Sequence, residues 1–365
     1  MEEGQKINIS DFLTNRVLTE SKMLKISLVE KNYLLEIFTE DFYLNEKFPE
    51  IDQIEQSIKI VDRNFFYDIY KFSYDNLSYA IKVGENTDSF IFEREKNALE
   101  SIKDLNLSPI YFNNAQSDDY AYLLTSYENS QSSKELGLSY TYENIELLGS
   151  SLAKIHNATK TEENQREYFL DSVYSLGSFE DFIDEEVYSQ LLKDTNFKQN
   201  LDLLQNIKNA IEDQLFAPGE GFSCLCHTNL NLSCILNRSN QLKICNFFES
   251  FHIHPAWDLA FASYKLELND HPIYEKKFLE AYHAESFLKE EDYSYIYFKQ
   301  LAYKIILYKI ISAYFFKMLV QDNKEVGSTL SLFQNYAFIR ESIRDEFVEY
   351  MDMLDEMFAP FIKNI

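Results

Sequence analysis

The sequence predicts an α+β protein in which a small antiparallel β region precedes a larger, mainly helical region. Short segments with strand-like alternation crowd residues 58–127, whereas amphipathic helical patterns dominate the rest of the chain. The serine-rich stretch ENSQSSKELGLS lies between the two regions and is typical of an exposed connection. We therefore expect two lobes, residues 58–127 and 128–365, preceded by an N-terminal extension of residues 1–57.

The N-terminal extension contains two alternating segments, LKISLVE and YLLEIF, separated by the dipeptide KN. Alternation of apolar and polar residues on either side of a short polar turn is typical of a β hairpin. We expect a β hairpin in this extension and assign it no further role.

The next segments, IKIV, YDIYKF and YAIKV, predict three short strands, with turns at residues 62–66 and 74–76. Such closely spaced strands favour an antiparallel meander. A helix is predicted in SFIFEREKNALESIKDL, because Ile91, Glu95, Ala98 and Ile102 share one face. Glu95 is a carboxylate on the inward face and needs a partner, and Lys82 in the preceding strand is the nearest candidate.

Two further strands, PIYF and YAYLLTSY, are predicted before the serine-rich connection. Beyond it, a helix that ends near His156 is predicted from four apolar residues on one face: Ile145, Leu148, Leu152 and Ile155. The segment SCILNRSNQLKICNFF inserts two short strands around a polar turn, and amphipathic segments then run almost to the C-terminus. We expect His156 to satisfy the helix end or fill the core rather than bind a ligand.

These segments resemble the protein-kinase-like fold over about residues 58–285, specifically its aminoglycoside phosphotransferase and choline kinase branch. The segment YAIKV resembles the third strand of the small lobe, which puts Lys82 at the lysine that holds nucleotide phosphates and Glu95 at its helix partner. The segments YLLTSY, LGSSLAKIH and EAYH resemble the hinge strand and two helices of that branch. The segment HPAWDLA resembles its Asp-Pro-x-x-Asp-Leu-Ala motif, with Asp258 at the structural aspartate.

The catalytic loop of that branch reads His-Gly-Asp-Leu-His-x-x-Asn-Ile-Leu, and HTNLNLSCIL aligns with it without a gap from His227. The resemblance puts Asn229 at the catalytic aspartate and Cys234 at the magnesium-binding asparagine. The family's Ile-Asp-Phe-Glu appears as CNFF, so Asn246 replaces the second metal-binding aspartate. His227 and Asp258 are retained, and we expect His227 to organise the loop rather than catalyse.

These replacements remove chemical capacities that phosphoryl transfer needs. An asparagine amide cannot accept the proton of a substrate hydroxyl, a role worth roughly 100 to 10,000-fold in rate. Magnesium prefers anionic oxygen, which a neutral amide and a thiol do not supply. The turn DRNFFYD also lacks the glycines of a phosphate cradle, and its Asp62 would repel triphosphate while Phe65 and Phe66 could fill the cleft.

Four cysteines, Cys224, Cys226, Cys234 and Cys245, fall within one short span beside several histidines. Cys224 and Cys226 would face the same side of a strand, and the other two would lie on neighbouring strands. Their spacing fits no common zinc pattern, and free cysteine is often simply buried. We therefore expect no metal here, with a zinc cluster of these four as the alternative.

The formal charge of −26 makes nucleic acid and anionic lipid surfaces repelled partners. The N-terminus MEEGQKINISDFL has neither the basic start nor the apolar core of a signal peptide. The apolar segment of residues 293–320 is interrupted by lysines, which argues against a bilayer span. We expect a cytoplasmic protein that uses neither nucleic acid nor membrane as a partner.

The sequence thus favours a pseudokinase that has lost phosphotransfer, needs no cofactor and meets a protein partner. The alternative is an active ATP-dependent small-molecule kinase or another nucleotide transferase. It would use Lys82 to hold ATP and a single Mg²⁺ bound by Glu249 or Asp258.

Overall fold

The computed structural model describes residues 27–63, 67–127, 131–132, 142–174, 195–214, 222–231, 234–238, 241–266, 268, 271–320 and 350. The strands among them are β1 (Lys59–Arg63), β2 (Tyr67–Tyr74), β3 (Leu77–Glu85), β4 (Tyr111–Gln116), β5 (Tyr120–Ser126), β6 (Gln131–Ser132), β7 (Cys224–Cys226), β8 (Ile235–Arg238), β9 (Gln241–Ile244) and β10 (Phe251–Ile253). The α-helices are α1 (Leu28–Glu40), α2 (Phe42–Lys47), α3 (Ile51–Ser57), α4 (Ser89–Ser101), α5 (Tyr142–Ala158), α6 (Arg166–Tyr174), α7 (Thr195–Gln214), α8 (Ala256–Lys265), α9 (Pro272–Glu285) and α10 (Tyr295–Val320).

The small lobe is built on a five-stranded antiparallel sheet with the strand order β1-β2-β3-β5-β4. The predicted meander is confirmed, and the turn at Asp75 and Asn76 uses left-handed backbone, which a short Asp or Asn side chain tolerates. One boundary differs, since β1 continues to Arg63 and includes Asp62, which pairs with Ile69. The predicted cleft-filling Phe65 and Phe66 lie outside the described residues.

The predicted hairpin in the N-terminal extension is wrong, because the described part of that segment begins a helix at Leu28. The hydroxyl of Ser27 accepts the backbone N–H of Glu30, and the Glu30 carboxylate accepts the N–H of Ser27 at 2.6 Å. This reciprocal cap starts α1, and Leu34, Ile37 and Phe38 then recur at helical spacing and are buried. The alternation in YLLEIF was therefore too short to distinguish a strand from a helix.

Helices α1, α2 and α3 cover one face of the small-lobe sheet. The ring of Phe48 is fully buried and packs edge-on against Phe72 and Tyr79 of the sheet, at 5.2 and 5.0 Å between ring centroids. Asp41 accepts the N–H of Leu44 at 2.8 Å to cap α2, and it also accepts the hydroxyl of Tyr122 in β5 at 2.9 Å. Residues 28–57 thus share the small lobe's core.

Helix α4 lies against the opposite face of the sheet, and its predicted inward residues are all buried. The large lobe contains the remaining helices, the predicted β8–β9 hairpin and the β7–β10 pair. In α5, Gly149 lies so close to α9 that a Cβ there would be 2.4 Å from the carbonyl oxygen of Phe278. Backbone contact at this point positions α5, whose last turn carries His156.

The predicted connection between the lobes falls mostly outside the described residues. Within it, Gln131 and Ser132 form β6 and pair with β8 of the large lobe. In the described part of the chain, no helix combines the length and hydropathy of a membrane span. The boundaries assigned to the extension and the two lobes stay predictions.

Candidate functional site

The predicted pair of Lys82 and Glu95 meets between the sheet and α4. The Lys82 Nζ lies 2.7 and 2.6 Å from the two carboxylate oxygens of Glu95, and both side chains are buried. The strand positions Lys82 with its side chain toward α4, and the helical spacing places Glu95 on the facing side. The positive charge of Lys82 and the negative charge of Glu95 therefore neutralise each other inside the protein.

Asn246 connects the large lobe to the Lys82–Glu95 pair. Its Oδ1 accepts a hydrogen bond from Lys82 Nζ at 2.9 Å, across 164 residues of sequence. The backbone of Asn246 is left-handed, with φ of 66°, a conformation that asparagine tolerates better than most residues. The three N–H donors of the ammonium group therefore have three oxygen acceptors, two from Glu95 and one from Asn246.

The catalytic-loop segment folds around Asp258, which is fully buried at the start of α8. Its two carboxylate oxygens accept the backbone N–H groups of His227 and Thr228, each at 2.6 Å. The imidazole Nε2 of His156 lies 3.1 Å from the same carboxylate, and its Nδ1 lies 2.8 Å from the hydroxyl of Tyr282. The oxygens of Asp258 are thus directed at protein groups, which suits the structural aspartate better than a metal ligand.

The environment of His156 supplies the counter-charge for this buried carboxylate. Burial by itself lowers the pKa of His156, but Tyr282 and the hydrogen bond to Asp258 outweigh it and raise that pKa well above its ordinary value. A protonated imidazole beside Asp258 keeps the pair electrically balanced inside the protein. The structure therefore places His156 in the core, as the sequence indicated.

His227 holds the loop together through its ring and its backbone. The ring Nε2 donates to the carbonyl of Cys245 at 2.9 Å, and Nδ1 accepts the N–H of Asn229 at 3.3 Å. Asn229 follows Thr228, whose φ is 58° and whose hydroxyl donates to the carbonyl of Glu249 at 2.6 Å. Thr228 aligns with the glycine of the resembled motif, and its backbone is left-handed, a conformation that a β-branched residue rarely adopts.

The four cysteines form two separate pairs rather than one cluster. The sulfur atoms of Cys224 and Cys226 are 3.9 Å apart on β7, as the strand alternation predicted. Cys234 and Cys245 adjoin each other beside the loop, where the N–H of Cys245 donates to the Cys234 carbonyl at 2.9 Å. Cys234, which aligns with the magnesium-binding asparagine of the resembled motif, directs its thiol toward the carbonyl of Asn229 at 3.7 Å.

A different trio of metal-ligating types comes together among the described residues. His156, Cys224 and Cys226 have ligand atoms within 4.8 Å of one another. Both ring nitrogens of His156 already contact Tyr282 and Asp258, and burial raises the pKa of both thiols, which keeps the sulfurs protonated. This donor set suits a packed core better than a bound metal.

Tyr67 is a site residue that the sequence reasoning missed. It is the first residue of β2, only 1% exposed, and its ring centroid lies 5.0 Å from Lys82 Nζ. No local signal distinguishes it from the many other tyrosines of the chain, because its neighbours in the site come from β3, from α4 and from the large lobe. Thr228, by contrast, could have been predicted to be left-handed from its alignment with a glycine.

The sequence and the structure give different results in comparisons with known proteins. No protein-family model and no curated protein sequence matches the chain. Among solved structures, the ethanolamine kinase of Plasmodium vivax has a TM-score of 0.59 at 12% identity, over 93% of this chain and 95% of that one. The choline kinase of Streptococcus pneumoniae has a TM-score of 0.54 at 16% identity, over 83% of this chain and 98% of that one.

A spectinomycin phosphotransferase, solved in complex with ADP and spectinomycin, has a TM-score of 0.53 at 13% identity. That match covers 80% of this chain and 89% of the phosphotransferase. At these identities the likeness is one of fold, and it extends over both lobes. The chain therefore has the two-lobed, protein-kinase-like fold that aminoglycoside phosphotransferases share with choline and ethanolamine kinases.

Proposed function

We propose that this chain is a pseudokinase, in which phosphotransfer is lost or vestigial and the fold serves as a binding or scaffolding module for a protein partner. The observation that carries the proposal is the hydrogen bonding of Lys82. Its ammonium group is bound by Glu95 and by the neutral amide of Asn246. An anionic phosphate would have to compete for donors that the protein itself already uses.

The metal positions support the same conclusion. Where two magnesium ligands stand in the family's motif, this chain has the amide of Asn246 and the thiol of Cys234. Magnesium neutralises charge on the transferring phosphoryl group, and this supplies much of the electrostatic stabilisation of the transition state. Without carboxylate ligands here, we expect no bound Mg²⁺ and no resident ATP.

Direct contacts between side chains and backbone groups of the two lobes suit a scaffold. Lys82 and Asn246 form one interlobe hydrogen bond, and Arg94 of α4 forms another contact. The Arg94 guanidinium lies 4.3 Å from the ring centroid of Phe251 and 3.4 Å from the carbonyl oxygen of Phe248. A fixed arrangement of lobes presents a constant surface to a partner. The formal charge of −26 favours a protein rather than a nucleic acid as that partner.

The rival function is the transfer of phosphate from ATP to a small molecule. Glu249 would then bind Mg²⁺, since it is the carboxylate closest in sequence to Asn246. One observation favours it: the hydroxyl of Thr228 donates to the Glu249 carbonyl, which ties Glu249 to the loop that carries Asn229. The structural neighbour solved with ADP and spectinomycin is an enzyme of this kind. Asp258, the other ligand considered, is engaged by the loop backbone.

A thermal-shift titration with ATP and ADP, with and without MgCl₂, tests the proposal. The spectinomycin phosphotransferase serves as the positive control, and Asn229→Ala as a matched variant of the chain. We expect no saturable rise in the melting temperature of wild type or variant, because a ligand stabilises a protein only when it binds the folded state. Saturable, magnesium-dependent stabilisation of the wild type, with transfer of labelled phosphate to any small acceptor, would establish the rival function instead.

The scaffold part of the proposal has its own test. A protein partner identified for the wild-type chain is expected to bind Asn229→Ala with unchanged affinity, measured with purified components. Binding without catalysis does not depend on that side chain. A partner that binds only while phosphate is being transferred would contradict the scaffold role.

A further inference from the structure

Tyr67 lies over the Lys82 ammonium group because of the register of the sheet. In the β2–β3 ladder, Ile69 is opposite Lys82 and Tyr67 is opposite Gly84. Residues two apart on a strand share a face, so Tyr67 and Lys82 are diagonal neighbours on the face that α4 covers. Gly84 has no side chain, which leaves room for the tyrosine ring to lean toward Lys82.

The ring of Tyr67 is held by aromatic residues from both lobes. Phe92 of α4 packs against it at 5.6 Å between ring centroids, and Phe248 of the large lobe packs edge-on at 5.5 Å. Phe248 occupies the position of the glutamate in the family's Ile-Asp-Phe-Glu motif, where this chain reads CNFF. An aromatic ring packed against Tyr67 thus stands where the family's motif has an anionic side chain.

We propose that Tyr67 is an intramolecular plug that closes the Lys82 site to nucleotide phosphates. This inference rests on the proposed function, since it names what closes the vestigial site. Glu95 and Asn246 take the N–H donors of Lys82, and the ring of Tyr67 covers a further side of the ammonium group at 5.0 Å. The electron-rich ring face attracts the cation but repels the oxygen atoms of a phosphate. A nucleotide must therefore expel a buried ring before it reaches Lys82.

The plug can be tested by shortening the side chain and measuring access to Lys82. Tyr67→Ala removes the ring, and Tyr67→Val does so with a residue that strands accommodate well, in case the alanine variant does not fold. Tyr67→Phe is the matched control, because it keeps the ring. The probe is an acyl-phosphate derivative of ATP, which acylates a lysine beside bound phosphates, and peptide mass spectrometry identifies the modified residue.

We expect wild type and Tyr67→Phe to show little acylation of Lys82. Tyr67→Val or Tyr67→Ala should show an increase of about tenfold or more, suppressed by excess ATP, as expected for loss of a desolvated cation–π contact. A folded Tyr67→Val that gains no acylation at Lys82, or a wild type acylated as strongly as the variant, would overturn the plug. Phosphate transfer by a wild type whose Lys82 stays unacylated would overturn only the proposed function, because the plug concerns access of nucleotide phosphates to Lys82 alone.

Discussion

The side chains of Asp258 and His156 meet at 3.1 Å in the core of the large lobe, although 102 residues separate them in the sequence. Both are fully buried. Asp258 also anchors the backbone of the catalytic-loop segment, so one carboxylate connects the end of α5, the start of α8 and that loop. Asp258 is therefore a structural anchor of the large lobe.

Asp258→Asn is expected to destabilise the protein strongly. The amide keeps the shape of the side chain, but it removes the negative charge that His156 balances. It also replaces one acceptor oxygen with an NH₂ group, which cannot accept a backbone N–H of the loop. Loss of charge-assisted bonds in a buried network predicts a decrease of about 3 kcal/mol in the free energy of unfolding. Urea denaturation measures it, with the exposed Glu162→Gln as control. Equal stability of the two variants would show that Asp258 is not the anchor.

Lys82→Met should also lower stability, because it leaves Glu95 as an unpaired buried charge. Removing one partner of a buried ion pair typically lowers the free energy of unfolding by about 3–5 kcal/mol, and removing both partners restores most of that loss. We therefore expect the double variant Lys82→Met/Glu95→Leu to be more stable than Lys82→Met.

The matched control for this pair is Lys96→Met on the same helix. It breaks the exposed ion pair between Lys96 and Glu93, whose atoms are 2.9 Å apart. Such surface pairs contribute about 1 kcal/mol or less. If Lys82→Met proved as stable as Lys96→Met, the Lys82–Glu95 pair would have no structural role.

His254 makes the stability depend on pH in a defined direction. Burial, and after it the charge of His156, lower the pKa of His254 to about 4. The unfolded chain therefore binds a proton that the folded chain excludes between pH about 6.5 and about 4. The contribution of His254 is fully present above that window and is lost as the pH falls through it.

In that window, His254 should make the free energy of unfolding fall by up to about 1.4 kcal/mol for each unit by which the pH decreases. His254→Asn removes the titration while its oxygen can still accept the N–H of Ala256, which His254 Nδ1 accepts at 3.3 Å. Urea denaturation of both proteins across the window measures the difference in slope. Parallel pH profiles for wild type and variant would contradict the assignment.

Phe48→Ala tests whether residues 28–57 belong to the small lobe's core. Phe48 is fully buried against the sheet, so we expect a loss of about 3–5 kcal/mol in the free energy of unfolding. Phe42 in the same segment is 82% exposed, and Phe42→Ala should change stability by no more than about 0.5 kcal/mol. Thermal and urea unfolding of both variants gives the comparison. A small effect at Phe48 would indicate an independent appendage.

Part of the site could be predicted because it depends on short-range patterns. The Lys82–Glu95 pair follows from a strand with a lysine and an adjacent helix whose spacing turns Glu95 inward, and the structure confirms it. The helix bearing His156 follows from the same 3.6-residue period. The hairpin prediction failed because its local pattern was ambiguous: six alternating residues fit either a strand or the helix that Ser27 and Glu30 cap.

The sequence by itself determined the two-lobed class, the order of strands β1–β5 and helix α4, and the absence of carboxylates at Asn229 and Asn246. Side-chain chemistry and local periodicity are properties of the chain, so they can be read without coordinates. Only the tertiary structure decided that Asn246 binds Lys82, that Tyr67 covers it, and that α1–α3 complete the small lobe's core. These contacts join residues that are distant in sequence, and their geometry exists only once packing has fixed how the lobes and helices meet.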